Sequence, residues 1–139
     1  MDINHPVFEF PVTIYYEDTD VGGLAYHANF LKYFERCRSE WLAHIGVTHK
    51  SLREQNIVFV VRHVEMDFLQ GARLEDRLIV KASVAKAKKA SVTFCQEIVN
   101  HDGDILCKAM VKVACIDSEK MKPIAFPQKI IMELIQSDR

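Results

Sequence analysis

Apolar and polar positions along this chain switch between two periods. Phe8, Phe10, Val12, Ile14 and Tyr16 alternate with their neighbours, which predicts a first strand with one face inward. Gly22-Gly23 breaks that pattern. From about Ala28 the apolar residues recur at steps of three and four. Phe30, Phe34, Cys37, Trp41 and Ile45 form the stripe, with Leu31 and Leu42 widening it, as in an amphipathic helix. Gly46 falls where a C-cap glycine would end it, and a short helical turn is expected over 48–54.

The period then returns to two. Val58, Val60, Val64, Met66 and Phe68 alternate, with Arg62 interrupting that face. Leu78, Val80, Ala82 and Val84 follow, then Val92, Phe94 and Ile98, then Ile105, Cys107, Ala109, Val111, Val113 and Cys115. Asp102-Gly103 marks one tight turn and Lys88-Lys89 another hairpin. From Gln128, the residues Ile130, Ile131, Leu134 and Ile135 line one side of a short terminal helix. The order is one strand, one long helix, then four strands at hairpin spacing. Helices do not alternate with the later strands, which argues against a doubly wound parallel sheet. An α+β antiparallel sheet of about five strands, wrapped around one central helix, fits.

Length and composition narrow the class. At 139 residues the chain is expected to form a single domain over 1–139, long enough to bury a real core. The net charge of −1 offers no basic face for a nucleic acid. Cys37, Cys95, Cys107 and Cys115 make no C-x-x-C pair, and they read as buried thiols of a reducing compartment. The opening "MDINHPVFEFP" lacks an apolar stretch of leader length, and no run approaches a membrane span. A cytoplasmic location is expected.

The candidate chemistry lies in "YYEDTDVGGLAYHANFLKYFERCRSEWL", residues 15 to 42. Glu17, Asp18 and Asp20 crowd ahead of a helix start. A helix start offers unpaired N–H groups and partial positive charge, where an oxyanion is stabilised. A carboxylate beside it can attack a carbonyl or activate a water. Gly22 and Gly23 let the loop fold back and give a ligand close access to backbone. Each piece also has a plain structural reading, since acidic residues suit any helix start and Gly-Gly suits any turn. No nucleophile elbow, zinc motif or phosphate-binding glycine loop occurs, and no cofactor is expected. Such sparse machinery suits a leaving group that departs without a proton. A thiolate is one, because thiols ionise near about 8.5.

That stretch closely resembles the opening of the 4-hydroxybenzoyl-CoA thioesterase family of hotdog folds, and more narrowly its YbgC branch, acyl-CoA thioesterases associated with the Tol–Pal system. The resemblance continues through "FVVRHVEMDFLQGARLED" and "SEKMKPIAFP". It implies hydrolysis of acyl-CoA, a hotdog fold, and a homodimer or homotetramer with sites between subunits. It implies Asp20 as the catalytic carboxylate, the His27 amide as oxyanion donor, and the side chains of Tyr16 and His27 in the site. The alternative is a non-hydrolytic module binding acyl-CoA or acyl carrier protein at the cell envelope. Whether coenzyme A or an acyl carrier protein delivers the acyl group stays open.

Lys86, Lys88 and Lys89, with Arg73 and Arg77 nearby in sequence, are candidates for the phosphates of coenzyme A. A solubilising hairpin is the competing reading. His63, Glu65 and Asp67 share one side of a strand and could hold a metal, but a solvated face is preferred. The terminal helix could touch the inner membrane peripherally, although packing on its own domain is the better expectation.

Overall fold

The computed structural model describes residues 6–136. The first five residues of the leader reading, Asp2 among them, lie outside the described residues. β1 (Phe8–Thr13) leads through a 3-10 turn (Tyr16–Asp18) to α1 (Asn29–His44) and α2 (His49–Arg53). Then come β2 (Ile57–Phe68), β3 (Arg77–Ala87), β4 (Ser91–Asn100), β5 (Ile105–Asp117), a two-residue β6 (Lys122–Pro123) and α3 (Gln128–Gln136). The described strands form one antiparallel sheet in the order β1-β3-β4-β5-β2, with β6 paired to the end of β5.

Period-two burial on β3, β4 and β5 puts Leu78, Val80, Phe94, Ile98, Cys107 and Val111 against one helix. That helix is α1, whose stripe of Phe30, Phe34, Cys37, Trp41 and Leu42 is buried. Fully burying a side chain such as Phe34 contributes about 1.5–3 kcal/mol. Phe8 stacks on Trp41 with ring centres 5.9 Å apart, and Phe94 meets the same indole edge-on at 6.0 Å. α1 ends as expected. Gly46 takes φ +88°, and the Val47 amide reaches back to the Leu42 carbonyl at 2.8 Å. α3 buries Ile130, Ile131 and Leu134 beside the α1–α2 turn.

Several expectations are corrected. Leu31 does not widen the buried stripe and is 44% exposed. Tyr16 lies beyond the end of β1, in the 3-10 turn. Val58 and Val60 do not share a face with Val64 and Met66. In the pairing with β5, Val61 opposes Val113 and His63 opposes Lys112, so Arg62 is an extra residue with no partner. That bulge reverses the parity of the strand. Ile57 and Phe59 pack on the core before it, Val64 and Met66 after it. Cys95 faces away from the core side of β4 and is half-buried, unlike the other three thiols. β6 has no counterpart in the sequence pattern.

Candidate active site

The structure gives the three clustered carboxylates different work. The Asp18 side chain accepts the Tyr15 amide at 2.8 Å and closes the 3-10 turn. Glu17 is exposed on that turn. Asp20 opens the tight turn of a small loop held by the Thr19–Ala25 bridge. The Asp20 amide donates to the Leu24 carbonyl at 2.8 Å, and its own carbonyl accepts from Gly23 at 3.0 Å. Gly23 takes φ +78°, a conformation that favours glycine. The Gly22 amide donates to Asp20 Oδ1 at 2.9 Å, which orients the carboxylate. Asp20 Oδ2 has no partner among the described residues.

α1 starts without a side-chain cap and without an acidic residue in its first turn. A helix of 16 residues therefore presents its positive end uncompensated. Among the described residues, the His27 and Ala28 amides, just ahead of Asn29, have no acceptor. The Asp20 loop is tied to this helix start through one atom. The Asp18 carbonyl accepts both the Tyr26 amide at 2.8 Å and Asn29 Nδ2 at 2.9 Å. An amide without an acceptor and an oriented carboxylate thus flank the same tie, each within two residues of it.

The His27 ring packs against Tyr26 at 4.7 Å and edge-on against Phe68 at 5.7 Å, and Phe68 stacks on Phe30 at 5.9 Å. Behind them Tyr33 is buried. Burial, then the nearby Asp18 carboxylate, pushes its phenol up to about 12. On the open side, Tyr16, Val21, Leu24, Tyr26, Phe68 and Leu69 are all well exposed. Tyr16 is 82% exposed and stands on the turn just before the Asp20 loop.

The basic residues are not gathered in one place. Arg73 bridges Leu24 and Arg77 begins β3, so both lie at the Asp20 end of that strand. Lys86, Lys88 and Lys89 are exposed at the other end, on the β3–β4 hairpin, about 30 Å away by strand rise. His63 and Glu65 approach each other at 3.4 Å on an exposed face, and no group of three possible metal ligands converges among the described residues. Two residues escaped the reading of the sequence. Asn29 supplies the tie to Asp18, and nothing in its spacing marks it. Arg38 is buried and donates to Gln96 at 2.8 Å. Its position was readable, because it lies four residues from both Phe34 and Leu42 on the apolar stripe.

A sheet curled around one long helix, with a carboxylate loop at the helix start, matches a known group of proteins. A family model described as the thioesterase-like superfamily matches residues 15–134, and the chain belongs to that family, with the hotdog fold. It is 45% identical over 124 residues to an acyl-CoA thioesterase YbgC from Haemophilus influenzae, covering 88% of this chain and 90% of that protein. It is 39% identical over 134 residues to an acyl-CoA thioester hydrolase YbgC from Escherichia coli O6:H1, covering 96% of this chain and 100% of that one. Among solved structures, a probable thioesterase from Bartonella henselae superposes with a TM-score of 0.83 at 33% identity, over 88% of this chain and 100% of its own.

Proposed function

We propose that the protein hydrolyses acyl-CoA thioesters to free acid and coenzyme A, with Asp20 and the His27 amide as its working groups. The observation that carries this reading is the pairing of an uncapped helix start with a carboxylate held by Gly22. The thioester oxygen accepts from the His27 N–H, where developing negative charge is stabilised by the helix end. A single such donor is worth about 2.7–4 kcal/mol in a transition state. Asp20 takes a proton from a water whose oxygen bonds to the carbonyl carbon. The tetrahedral adduct collapses, the C–S bond breaks, and the thiolate leaves and is protonated. No general acid is needed ahead of that step. Tyr16 and the His27 ring border the entrance, and Gly22 and Gly23 leave room for the substrate.

The relatives named acyl-CoA thioesterases support hydrolysis, and nothing favours the non-hydrolytic module. Thiol release from a panel of acyl-CoA esters by purified protein tests the reading. Sustained binding without turnover across the panel would overturn it, and the same panel loaded on acyl carrier protein identifies the donor.

Assembly belongs to the same proposal. β2 pairs only with β5 among the described strands, so its other edge is open over 12 residues. Exposed apolar residues ring the Asp20 loop. Both features support a homodimer, or a tetramer built from dimers, that covers the site. Cytoplasmic residence rests on the cysteine usage and the apolar pattern of the sequence, and a link to the Tol–Pal system on the family resemblance alone. No described helix is long and apolar enough to cross a membrane. The apolar side of α3 faces the core, which weighs against that helix lying on a membrane.

A further inference from the structure

Arg38 is the one charged side chain in the buried set of the described residues, at 9% exposure. Its Nη1 donates to Gln96 Oε1 at 2.8 Å, and Gln96 Nε2 donates to the Phe34 carbonyl at 3.1 Å. The guanidinium is therefore held in place by neutral groups. Among the described residues it forms no ion pair. Burial lowers its pKa from the ordinary value and Glu35 partly opposes that, but an arginine stays charged across the working range. Buried charges in folded proteins are normally paired. The opposite charge that acts on this one is Glu35, which forms no ion pair with it among the described residues.

The guanidinium borders a cavity of about 120 Å³ whose walls include Leu42, Phe59, Val61, Phe94 and Phe126. Glu35, Ser39 and His49 also line it; the Ser39 hydroxyl bonds Glu35, and His49 Nε2 lies 2.9 Å from it. A dry cavity near 150 Å³ accepts a benzene-sized molecule, so this one admits about six heavy atoms or fewer. A wall of Leu42, Phe59, Val61, Phe94 and Phe126 beside a fixed guanidinium with no ion pair is complementary to a carboxylate on a short hydrocarbon stem, with Glu35 engaged by Ser39, since guanidinium and carboxylate pair through two parallel hydrogen bonds. The cavity lies on the same helix and strand as the candidate active site, with Phe30 and Phe68 at the catalytic end and Arg38 and Val61 in the cavity, Arg38 standing about 14 Å of helix rise beyond Asn29.

We infer that this cavity is a carboxylate-recognition pocket with Arg38 as its recognising group. The carboxylate comes from one of two sources: the distal end of a dicarboxylic acyl group, or a free short-chain acid acting on the enzyme. The first source rests on the thioesterase reading; the second does not.

The test uses wild type, Arg38→Met and Val61→Trp. Val61 is half exposed on the cavity wall, so the bulky variant fills the pocket without disturbing the core, even where Arg38→Met fails to fold. Acetate, propionate and butyrate are titrated and followed by NMR shifts of cavity residues, with butyramide as the neutral control. In parallel, kcat/KM is measured for a series of dicarboxylic acyl-CoA esters against monocarboxylic esters of equal length. Expected is carboxylate binding in wild type that weakens at least about tenfold in each folded variant, with butyramide inert. A preference for dicarboxylic esters that the variants lose identifies the acyl group as the source. Binding of free acids without that preference identifies the free acid. Absence of both in wild type overturns the proposal, and so does carboxylate binding that Val61→Trp leaves unchanged. Wild-type hydrolysis of plain acyl-CoA in the same series reports separately on the thioesterase reading.

Discussion

Asn29 Nδ2 donates to the carbonyl of Asp18 at 2.9 Å, and the Tyr26 amide donates to that same oxygen at 2.8 Å. This is the tie between the loop that carries Asp20 and the helix start that carries His27. Removing the side chain in Asn29→Ala leaves the Tyr26 bond in place, so the fold should survive with a loss of about 1 kcal/mol. Catalysis should suffer more. A misplacement of about 1 Å in a reacting group can cost roughly 100-fold. Asn29→Ala is expected to lower kcat by about 10- to 100-fold with KM little changed and the shape of the pH profile kept. A variant that loses only thermal stability, with kcat intact, would show that the tie is structural.

The lysine hairpin gives a prediction about assembly. Lys86, Lys88 and Lys89 stand at the end of β3 away from the Asp20 loop of their own chain, so the proposal that they hold a coenzyme A phosphate requires the site of a second copy. Neutralising all three should raise KM, leave kcat near wild type and flatten the salt dependence of KM. Sedimentation should show a dimer or larger at micromolar concentration. An unmoved KM would make the run a solvated hairpin and nothing more.

Alkali should unfold this protein in a particular way. Burial pushes the Cys37 thiol up to about 12, with Arg38 partly opposing, and burial followed by the Asp67 charge does the same for Cys107. Both start from an ordinary value of 9.0. Between those limits the folded state keeps protons that the unfolded chain loses, so stability falls as pH rises. It is fully present below pH 9 and lost progressively towards about pH 12. Each thiol contributes a slope of up to about 1.4 kcal/mol per pH unit in that window. Urea midpoints measured from pH 8 upward should be flat at first and then decline. Cys37→Ala should be less stable at pH 8 yet show a shallower decline; an unchanged slope would contradict the assignment.

Much of this was legible in the sequence because it depends on period and on φ. The α1 stripe follows from steps of three and four, and Gly46 ends the helix because glycine takes the left-handed turn. The strand parity of β3 to β5 even puts Gln96 inward, between Phe94 and Ile98, where it is fully buried. What failed depends on relations between distant segments. Arg62 was seen as an interruption, but only its pairing with β5 makes it a bulge that flips Ile57 and Phe59 inward. Leu31 follows the helical spacing yet lies where no strand covers it. Composition could not separate Glu17, Asp18 and Asp20, since all three precede the helix. The separation comes from hydrogen bonds, with Asp18 spent on Tyr15 and Asp20 oriented by Gly22.

The most direct measurement is the turnover of Asp20→Asn on the best acyl-CoA substrate, beside Glu17→Gln and Asp18→Asn. The amide keeps the size of the side chain and the Gly22 hydrogen bond but cannot take a proton from water. Loss of a positioned base costs about 10²–10⁴-fold, so kcat should fall at least that far with KM little changed. Glu17→Gln should stay within about tenfold, or 1.4 kcal/mol, of wild type. Asp18→Asn should lose a few degrees of thermal stability, consistent with a weakened hydrogen bond of about 1 kcal/mol, and keep most of its turnover. Single-turnover hydrolysis in oxygen-18 water should label the product acid without first labelling the enzyme carboxylate. An Asp20→Asn protein that hydrolyses acyl-CoA within tenfold of wild type would contradict the account.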